Sequence, residues 1–161
     1  MAGYSGTPLP KKLGIREGFR ALLQNVPAEV RAELKAALAG CRMAKDGPFD
    51  FVLLGVKSQS ELKKEFHRCS KQLAPAGMIW VSWPKKSSGV STDLGENEVR
   101  KIGLDAGLVD VKVCAVNQVW SGLKFVIRLK DRNPPASSTG RLIPSAKPSE
   151  AVGRKDEAQS R

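Results

Sequence analysis

The sequence predicts an α/β fold, a three-layer sandwich in which helices cover both faces of a mostly parallel sheet that ends in an antiparallel hairpin. Residues 49–56 form a nearly continuous apolar run, which is typical of a parallel strand buried on both faces. Ser58 and Glu61 have the spacing of a capping box, and the amphipathic helix that they begin is followed by a second apolar run at residues 78–83. A strand, a helix and a second strand in this order indicate a parallel crossover.

A first strand and helix precede that unit. Residues 19–23 are short and apolar and suit a strand. Asn25 is expected to cap the following helix, with Pro27 in the first turn. Apolar residues recur at every fourth position from 30 to 38, and Gly40 is expected to end this helix.

The remaining elements follow from the same signals. A short strand is predicted at residues 41–45. Residues 73–77, Leu-Ala-Pro-Ala-Gly, predict the end of the preceding helix and a glycine stop before the second apolar strand. Residues 96–106 predict the last amphipathic helix, which Gly107 ends.

The C-terminal half of the fold is predicted to finish with a hairpin. Residues 109–119 and 123–130 alternate between apolar and polar, and a turn is expected at 120–122. The segment before the first strand is rich in Gly, Pro and Lys, and the segment after the hairpin has few large apolar residues. The predicted organisation is an extended N-terminal arm at residues 1–18, an α/β domain at 19–132 and a disordered tail at 133–161.

The chain of 161 residues is long enough for one domain with a core, and it carries a formal net charge of +11. Residues 1–132 hold 22 lysines and arginines against 13 aspartates and glutamates, so most of the charge belongs to the domain. Such a surface favours anionic partners, although a soluble domain with surplus surface lysine has the same composition.

The cysteines and the single histidine indicate no metal or nucleophilic site. Cys41, Cys69 and Cys114 lack metal-ligand spacing, and their odd number favours reduced thiols in a cytoplasm. No stretch approaches the length of a membrane span, and the N-terminus lacks the apolar core of a signal peptide. His67 is expected on a helix surface, so we predict a cytoplasmic protein with no membrane partner and no catalytic residue.

The loop at residues 83–89 is the strongest candidate for a ligand site, because it leaves the carboxyl end of a predicted strand. Its lysines offer cationic donors, its Ser-Ser-Gly turn offers hydroxyl and backbone donors, and its tryptophan could stack on a ring. The alternative is a solvated lysine turn whose tryptophan packs in the core. The candidate ligand-binding residues are Trp83, Lys85, Lys86, Ser87, Ser88, Gly89, Thr92, Asp93 and Trp120.

The neighbouring candidates each have two interpretations. Thr92 and Asp93 either extend the rim of that site or cap a helix. Trp120 either lines a cleft or packs on the hairpin turn. Lys11 and Lys12 either extend the basic patch or lie in a solvated turn.

The order of elements resembles the class I S-adenosylmethionine-dependent methyltransferases, which have a Rossmann-like fold. Residues 13–23 resemble their approach to the first strand, and residues 49–56 resemble their fourth strand. Residues 73–81 resemble the passage into their fifth strand, and residues 106–108 with the hairpin resemble their C-terminal end.

More closely, the chain resembles a small bacterial family described only as a domain of unknown function, which brings no established activity with it. The pieces that carry this resemblance are AGYSGTPL at residues 2–9, KKLGI at 11–15, WPKK at 83–86, VSTDL at 90–94, VCAV at 113–116 and WSGL at 120–123.

The chain departs from the methyltransferase pattern where the cofactor should lie. Residues 24–27, Gln-Asn-Val-Pro, replace a glycine-rich loop, so side chains and a proline fill the approach. Asp46 is the one candidate for the carboxylate that holds the cofactor ribose, and a turn aspartate is the alternative. A third strand is missing before residues 49–56. We therefore predict no cofactor and expect weak or absent S-adenosylmethionine binding.

Three functional hypotheses follow. The leading one is a non-enzymatic, methyltransferase-like domain that binds an anionic small molecule or a protein partner through the 83–89 loop. The alternative is an atypical methyltransferase with a remodelled cofactor pocket, which an open pocket beside residues 24–27 would favour. The third is a nucleic-acid-binding accessory protein, which the charge favours and the sparse aromatic residues do not.

Overall fold

The computed structural model describes residues 7–131. The strands are β1 (Arg20–Gln24), β2 (Arg42–Met43), β3 (Phe49–Gly55), β4 (Leu73–Pro84), β5 (Leu108–Ala115) and β6 (Trp120–Ile127). The helices are α1 (Leu9–Leu13), α2 (Ala28–Leu38), α3 (Gln59–Ser70) and α4 (Glu96–Asp105). The chain divides into two units after Arg128, and the described part of the second unit is a 3₁₀ turn at Leu129–Asp131.

The six strands of the first unit form one sheet in the order β2-β1-β3-β4-β6-β5. The first four of these strands are parallel, β6 is antiparallel to β4, and β5 is antiparallel to β6. The predicted fold class is therefore confirmed. The chain passes from β2 to β3 through residues 44–48 alone, which also confirms that no helix-strand-helix unit lies between them.

Helices cover both faces of the sheet and bury two apolar clusters. On one face, α3 and α4 pack over side chains such as Val52, Ile79 and Phe125. On the other face, α1 and α2 pack over side chains such as Leu53 and Trp80. The continuous apolar run of β3 reflects this arrangement, because its successive side chains enter the two clusters alternately. Among residues 7–131, no helix is both long enough and apolar enough to cross a bilayer.

The segment expected to be an extended arm contains a helix, α1. Leu9 and Leu13 are buried, and the indole Nε1 of Trp80 donates a 2.9 Å hydrogen bond to the Leu13 carbonyl. This bond satisfies a buried donor that would otherwise be costly, so it fixes α1 on the sheet. Residues 1–6 of the predicted arm, and the tail that follows residue 131, lie outside the described residues.

The prediction of a helix end and glycine stop at residues 73–77 is wrong. Helix α3 ends at Ser70, and β4 begins at Leu73, which pairs with Phe49 of β3. Gly77 lies within the strand, where a Cβ atom would overlap the Phe49 carbonyl oxygen. The glycine is therefore required by the close approach of a neighbouring strand and does not terminate a helix.

The predicted hairpin turn is also misplaced. Residues 116–119 form the turn, and residues 120–122 belong to β6. Gly122 lies in the interior of the sheet, where an added Cβ would come within 3.0 Å of Val116 and 3.3 Å of Trp80. At the sheet edge, the pairing of β5 shifts register at Val111, and the side chains of Val111 and Val113 are about half exposed.

Candidate functional site

A cleft with a volume of about 590 Å³ lies at the carboxyl ends of β1 and β3. The helices that follow these strands, α2 and α3, pack on opposite faces of the sheet. Two neighbouring parallel strands whose helices diverge leave a crevice at their carboxyl ends, and open α/β sheets commonly bind ligands there. The volume lies in the range of about 300–1,000 Å³ that is common for small-molecule sites.

Asn25 lies in the turn between β1 and α2 and lines the cleft. Its φ angle of +57° places it in the left-handed region, which Asn tolerates better than most residues. The expectation that Asn25 caps α2 is therefore wrong, and Pro27 occupies the cap position without a side-chain hydrogen bond. The Asn25 carbonyl lies against Gly55, where a Cβ would overlap it. An asparagine thus makes this turn in a conformation that usually favours glycine.

Charged side chains line one part of the cleft. The Glu61 carboxylate accepts a 3.1 Å bond from the Lys57 backbone N–H and a 3.4 Å bond from the Asn25 amide. Ser58 Oγ accepts from the Glu61 backbone N–H, so half of the predicted capping box is confirmed, while the reciprocal bond goes to Lys57. Glu29 also lines the cleft. Two carboxylates against the Lys57 ammonium give this region a formal charge of −1, inside a cationic protein.

The cleft also has an apolar wall, which consists of Val90, Val119 and Trp120. The turn that carries Val119 and leads into Trp120 is fixed by Asn117, whose Oδ1 accepts 2.8 Å bonds from the backbone N–H groups of Val119 and Trp120. Trp120 therefore borders the cleft and also packs in the core under α1 and α2, so it combines the two positions considered for it. Its ring is mostly buried, so the wall is preformed.

The 83–89 loop uses much of its hydrogen-bonding capacity internally. Ser88 Oγ donates to the Lys85 carbonyl at 2.6 Å and accepts from the Val90 N–H at 3.2 Å. The backbone N–H groups of Ser88 and Gly89 donate to the carbonyls of Lys85 and Lys86. These donors are therefore committed to the loop, whereas the side chain of Ser87 is exposed.

The lysines of this loop border a second concavity of about 490 Å³, whose lining shares no residue with the cleft. Trp83 reaches it but is 4% exposed and packs in the α3–α4 core. The carboxylates of Glu96 and Glu98 line the same concavity as Lys85 and Lys86. Lysine and glutamate side chains, of opposite charge, therefore line this second concavity together.

Thr92 and Asp93 tie the loop before α4 to the start of α3. Thr92 Oγ1 donates a 2.6 Å bond to the Lys57 carbonyl, and Asp93 Oδ1 accepts a 2.8 Å bond from the Gln59 N–H. Asp93 thus caps the helix that precedes it in the chain. These bonds hold Val90, which is two residues earlier, at the wall of the cleft.

The remaining candidates lie away from the cleft. The Asp46 carbonyl accepts a 2.9 Å bond from Arg20 Nε, and Arg20 is at the amino end of β1, opposite the end that the cleft occupies. Lys11 is exposed, whereas Lys12 Nζ donates a 3.2 Å bond to the Ala115 carbonyl. His67 is exposed on α3, as predicted.

The described residues contain no cluster of three or more His, Cys, Asp or Glu side chains that could hold a metal ion. Their three cysteines are free thiols. Burial raises the pKa of Cys69 to about 11, and it also raises the pKa of Cys114, against the opposing effect of Lys12 and Lys112. These thiols are therefore poor nucleophiles at neutral pH.

Most of the cleft was missed by sequence reasoning. Trp120 was a candidate, but Asn25, Lys57 and Glu61 were not proposed as ligand-contacting residues. The available signal was positional: each of these three follows the carboxyl end of one of two predicted parallel strands, which meet at one edge of the sheet.

No family model and no curated protein matches the chain. Among solved structures, an S-adenosylmethionine-dependent methyltransferase from Aquifex aeolicus is 19% identical, with a TM-score of 0.50 over 74% of this chain and 88% of that chain. Magnesium protoporphyrin IX methyltransferase from Synechocystis, with bound S-adenosylmethionine, is 12% identical, with a TM-score of 0.49 over 74% of each chain. The first likeness shows the fold, which is a methyltransferase-like Rossmann fold.

Proposed function

We propose that the cleft binds S-adenosylmethionine and that the protein is an atypical methyltransferase with a remodelled cofactor pocket. One observation carries the proposal: an open cleft of about 590 Å³ lies beside residues 24–27, where side chains had been expected to fill the approach. This feature distinguishes the methyltransferase hypothesis from the non-enzymatic one, and it favours the former.

The chemistry of the cleft supports a ligand that is partly aromatic and partly zwitterionic. The apolar wall at Trp120 suits a purine ring. Glu29 and Glu61 suit cationic groups, and Lys57 suits a carboxylate. S-adenosylmethionine has an adenine, a sulfonium, an ammonium and a carboxylate, whereas a polyanion would meet a net negative charge here. When bound, S-adenosylmethionine supplies a methyl group that its sulfonium activates for transfer.

The contribution of the chain to such a reaction is binding and orientation. Methyl transfer depends on holding the acceptor in line with the methyl group, and a preformed wall and fixed charges contribute to that positioning. Both walls are preorganised, since Asn117 fixes the turn at Trp120 and Glu61 is held by two hydrogen bonds.

The turn after β1 limits the affinity. Pro27 has no N–H to donate, and the Asn25 carbonyl occupies the space above Gly55, so backbone donors are fewer than in a glycine-rich loop. We therefore expect a dissociation constant for S-adenosylmethionine that is weaker than low micromolar.

Calorimetric titration of the full chain with S-adenosylmethionine and S-adenosylhomocysteine tests the proposal. Glu61→Gln keeps the shape of the side chain and removes its charge, so it should weaken S-adenosylmethionine binding about fivefold. It should weaken S-adenosylhomocysteine binding less, because that molecule lacks the sulfonium charge. Glu98→Gln, in the second concavity, is the matched control and should change neither affinity.

Thermal unfolding supplies the second readout, because a ligand that binds only the folded state raises its melting temperature. Millimolar S-adenosylmethionine that gives neither binding heat nor a thermal shift would refute the proposal. Equal losses in Glu61→Gln and Glu98→Gln would place the ligand outside the cleft.

A further inference from the structure

Three lysines converge on the sheet face that α1 covers, and we refer to Lys12, Lys112 and Lys124 as the lysine cluster. Lys112 and Lys124 are directly opposite each other in the β5–β6 ladder. Lys112 Nζ donates a 3.3 Å bond to the Lys12 carbonyl, and Lys12 Nζ donates a 3.2 Å bond to the Ala115 carbonyl. Two of the three ammonium groups are therefore held in place by the backbone of a neighbouring element.

This arrangement is electrostatically unfavourable without an anion. Like charges directly opposite each other across a ladder are destabilising. Burial lowers the pKa of Lys124, and the charge of Lys112 lowers it further. Within residues 7–131, neither Lys112 nor Lys124 forms a salt bridge with a carboxylate.

We propose that the lysine cluster binds a phosphate group. A phosphate between the opposed ammonium groups would replace their repulsion with two attractive, charge-assisted contacts. Lysine suits this role as a point charge, and the two bonds to backbone carbonyls reduce the side-chain entropy that binding must remove. The inference does not depend on the ligand of the cleft.

The lysine cluster is linked along the chain to the wall of the cleft. Ala115, which Lys12 contacts, directly precedes the turn at residues 116–119, and that turn carries Val119 of the cleft wall. The lysine cluster is therefore connected to the cleft wall through the turn at residues 116–119. Both a nucleic-acid backbone and a small phosphate compound present the same group, and the experiment has an arm for each.

The test compares the full chain with Lys112→Gln/Lys124→Gln. The matched control is Lys64→Gln/Lys71→Gln, which removes the same charge from exposed positions at α3, on the other face of the sheet. A fluorescent single-stranded oligonucleotide is titrated at several salt concentrations, and inorganic phosphate is titrated against ionic-strength-matched chloride in thermal unfolding. Circular dichroism verifies that each variant is folded.

If the cluster contacts a nucleic-acid backbone, the double variant should bind the oligonucleotide less tightly. The slope of log K against log salt should also fall by about 1.4, at about 0.7 per lost phosphate contact, while the control keeps most of the slope. If the ligand is a small phosphate compound, inorganic phosphate should raise the melting temperature of the wild type and the control but not of the double variant. Binding of neither probe, or equal losses in the variant and the control, would overturn the proposal.

Discussion

Replacing Gly103 with alanine should destabilise the protein, although alanine is the better helix former. Gly103 lies in α4, facing β6, and a Cβ at this position would overlap the ring of Phe125. The ring is fully buried and makes an edge-to-face contact with Phe66, with a centroid distance of 5.1 Å. It therefore cannot move toward solvent, and the helix or the ring must shift within a packed core.

The net effect is the difference between two opposing terms. Replacing glycine with alanine in a helix stabilises by about 1 kcal/mol. Forcing an extra methyl group into a packed core costs about 1–3 kcal/mol. Since two buried aromatic rings restrict relaxation, we expect the upper half of that range, which gives a net loss of about 1–2 kcal/mol and a fall in melting temperature of several degrees.

Urea denaturation, followed by the fluorescence of the three buried tryptophans, measures this difference. The control is the same substitution in a Phe125→Leu background, where the overlapping ring is absent. There, Gly103→Ala should be much less destabilising, or should stabilise as helix propensity predicts. A stabilised or unchanged Gly103→Ala variant of the wild-type chain would refute the packing argument.

Three further predictions concern a charge pair, a thiol and the basic loop. Arg100 holds the pKa of Asp110 below its usual value through a 2.8 Å ion pair, so this stabilisation is present at neutral pH and is lost as pH falls through the lowered pKa. Asp110→Asn should therefore be less stable than wild type in urea at pH 7, and the difference should shrink as the pH falls through the lowered pKa of Asp110. Cys69, with a pKa of about 11, should react with a thiol reagent at pH 8 only at the rate of unfolding, which added urea would reveal; rapid labelling of the native protein would contradict its burial. Changing both Lys85 and Lys86 to alanine should leave phosphate binding and the melting temperature nearly unchanged, because the loop uses its hydroxyl and backbone donors internally and its lysines share a concavity with Glu96 and Glu98. A thermal-shift titration with inorganic phosphate measures this, and loss of the phosphate-induced shift in this variant would place the anion site at the 83–89 loop.

The strand and helix order could be predicted from the sequence because it depends on local periodicity. The errors occurred at particular glycines and at one asparagine, whose roles are set by distant residues. The pattern before Gly77 predicts a helix stop, but the Phe49 carbonyl requires a glycine there. The pattern at Gly122 predicts a turn, but this glycine lies beneath Trp80 in the sheet. At these two positions a side chain does not fit, and the sequence does not say which neighbour excludes it.

The candidate site was less predictable for a related reason. The 83–89 loop is continuous in sequence, so its charges were visible at once. The cleft is built from Asn25, Glu61 and Trp120, which come from the turn after β1, from α3 and from β6 and meet through the order of the strands. No local sequence pattern specifies the order of the strands in the sheet. The sequence predicts that no helix-strand-helix unit precedes β3. The shape of the cleft, however, also depends on the position of the turn after β1, which the sequence does not specify.

The register shift at Val111 has a consequence for the behaviour of the protein at high concentration. β5 is the outer strand on its side of the sheet, and Val111 and Val113 are exposed on it. An unpaired edge with apolar side chains invites a second chain to add its own strand. An irregularity in the middle of β5 interrupts the row of hydrogen bonds that such an addition needs, and Lys112 places a charge at the same point. The break in the ladder thus gives this edge a built-in resistance to open-ended aggregation.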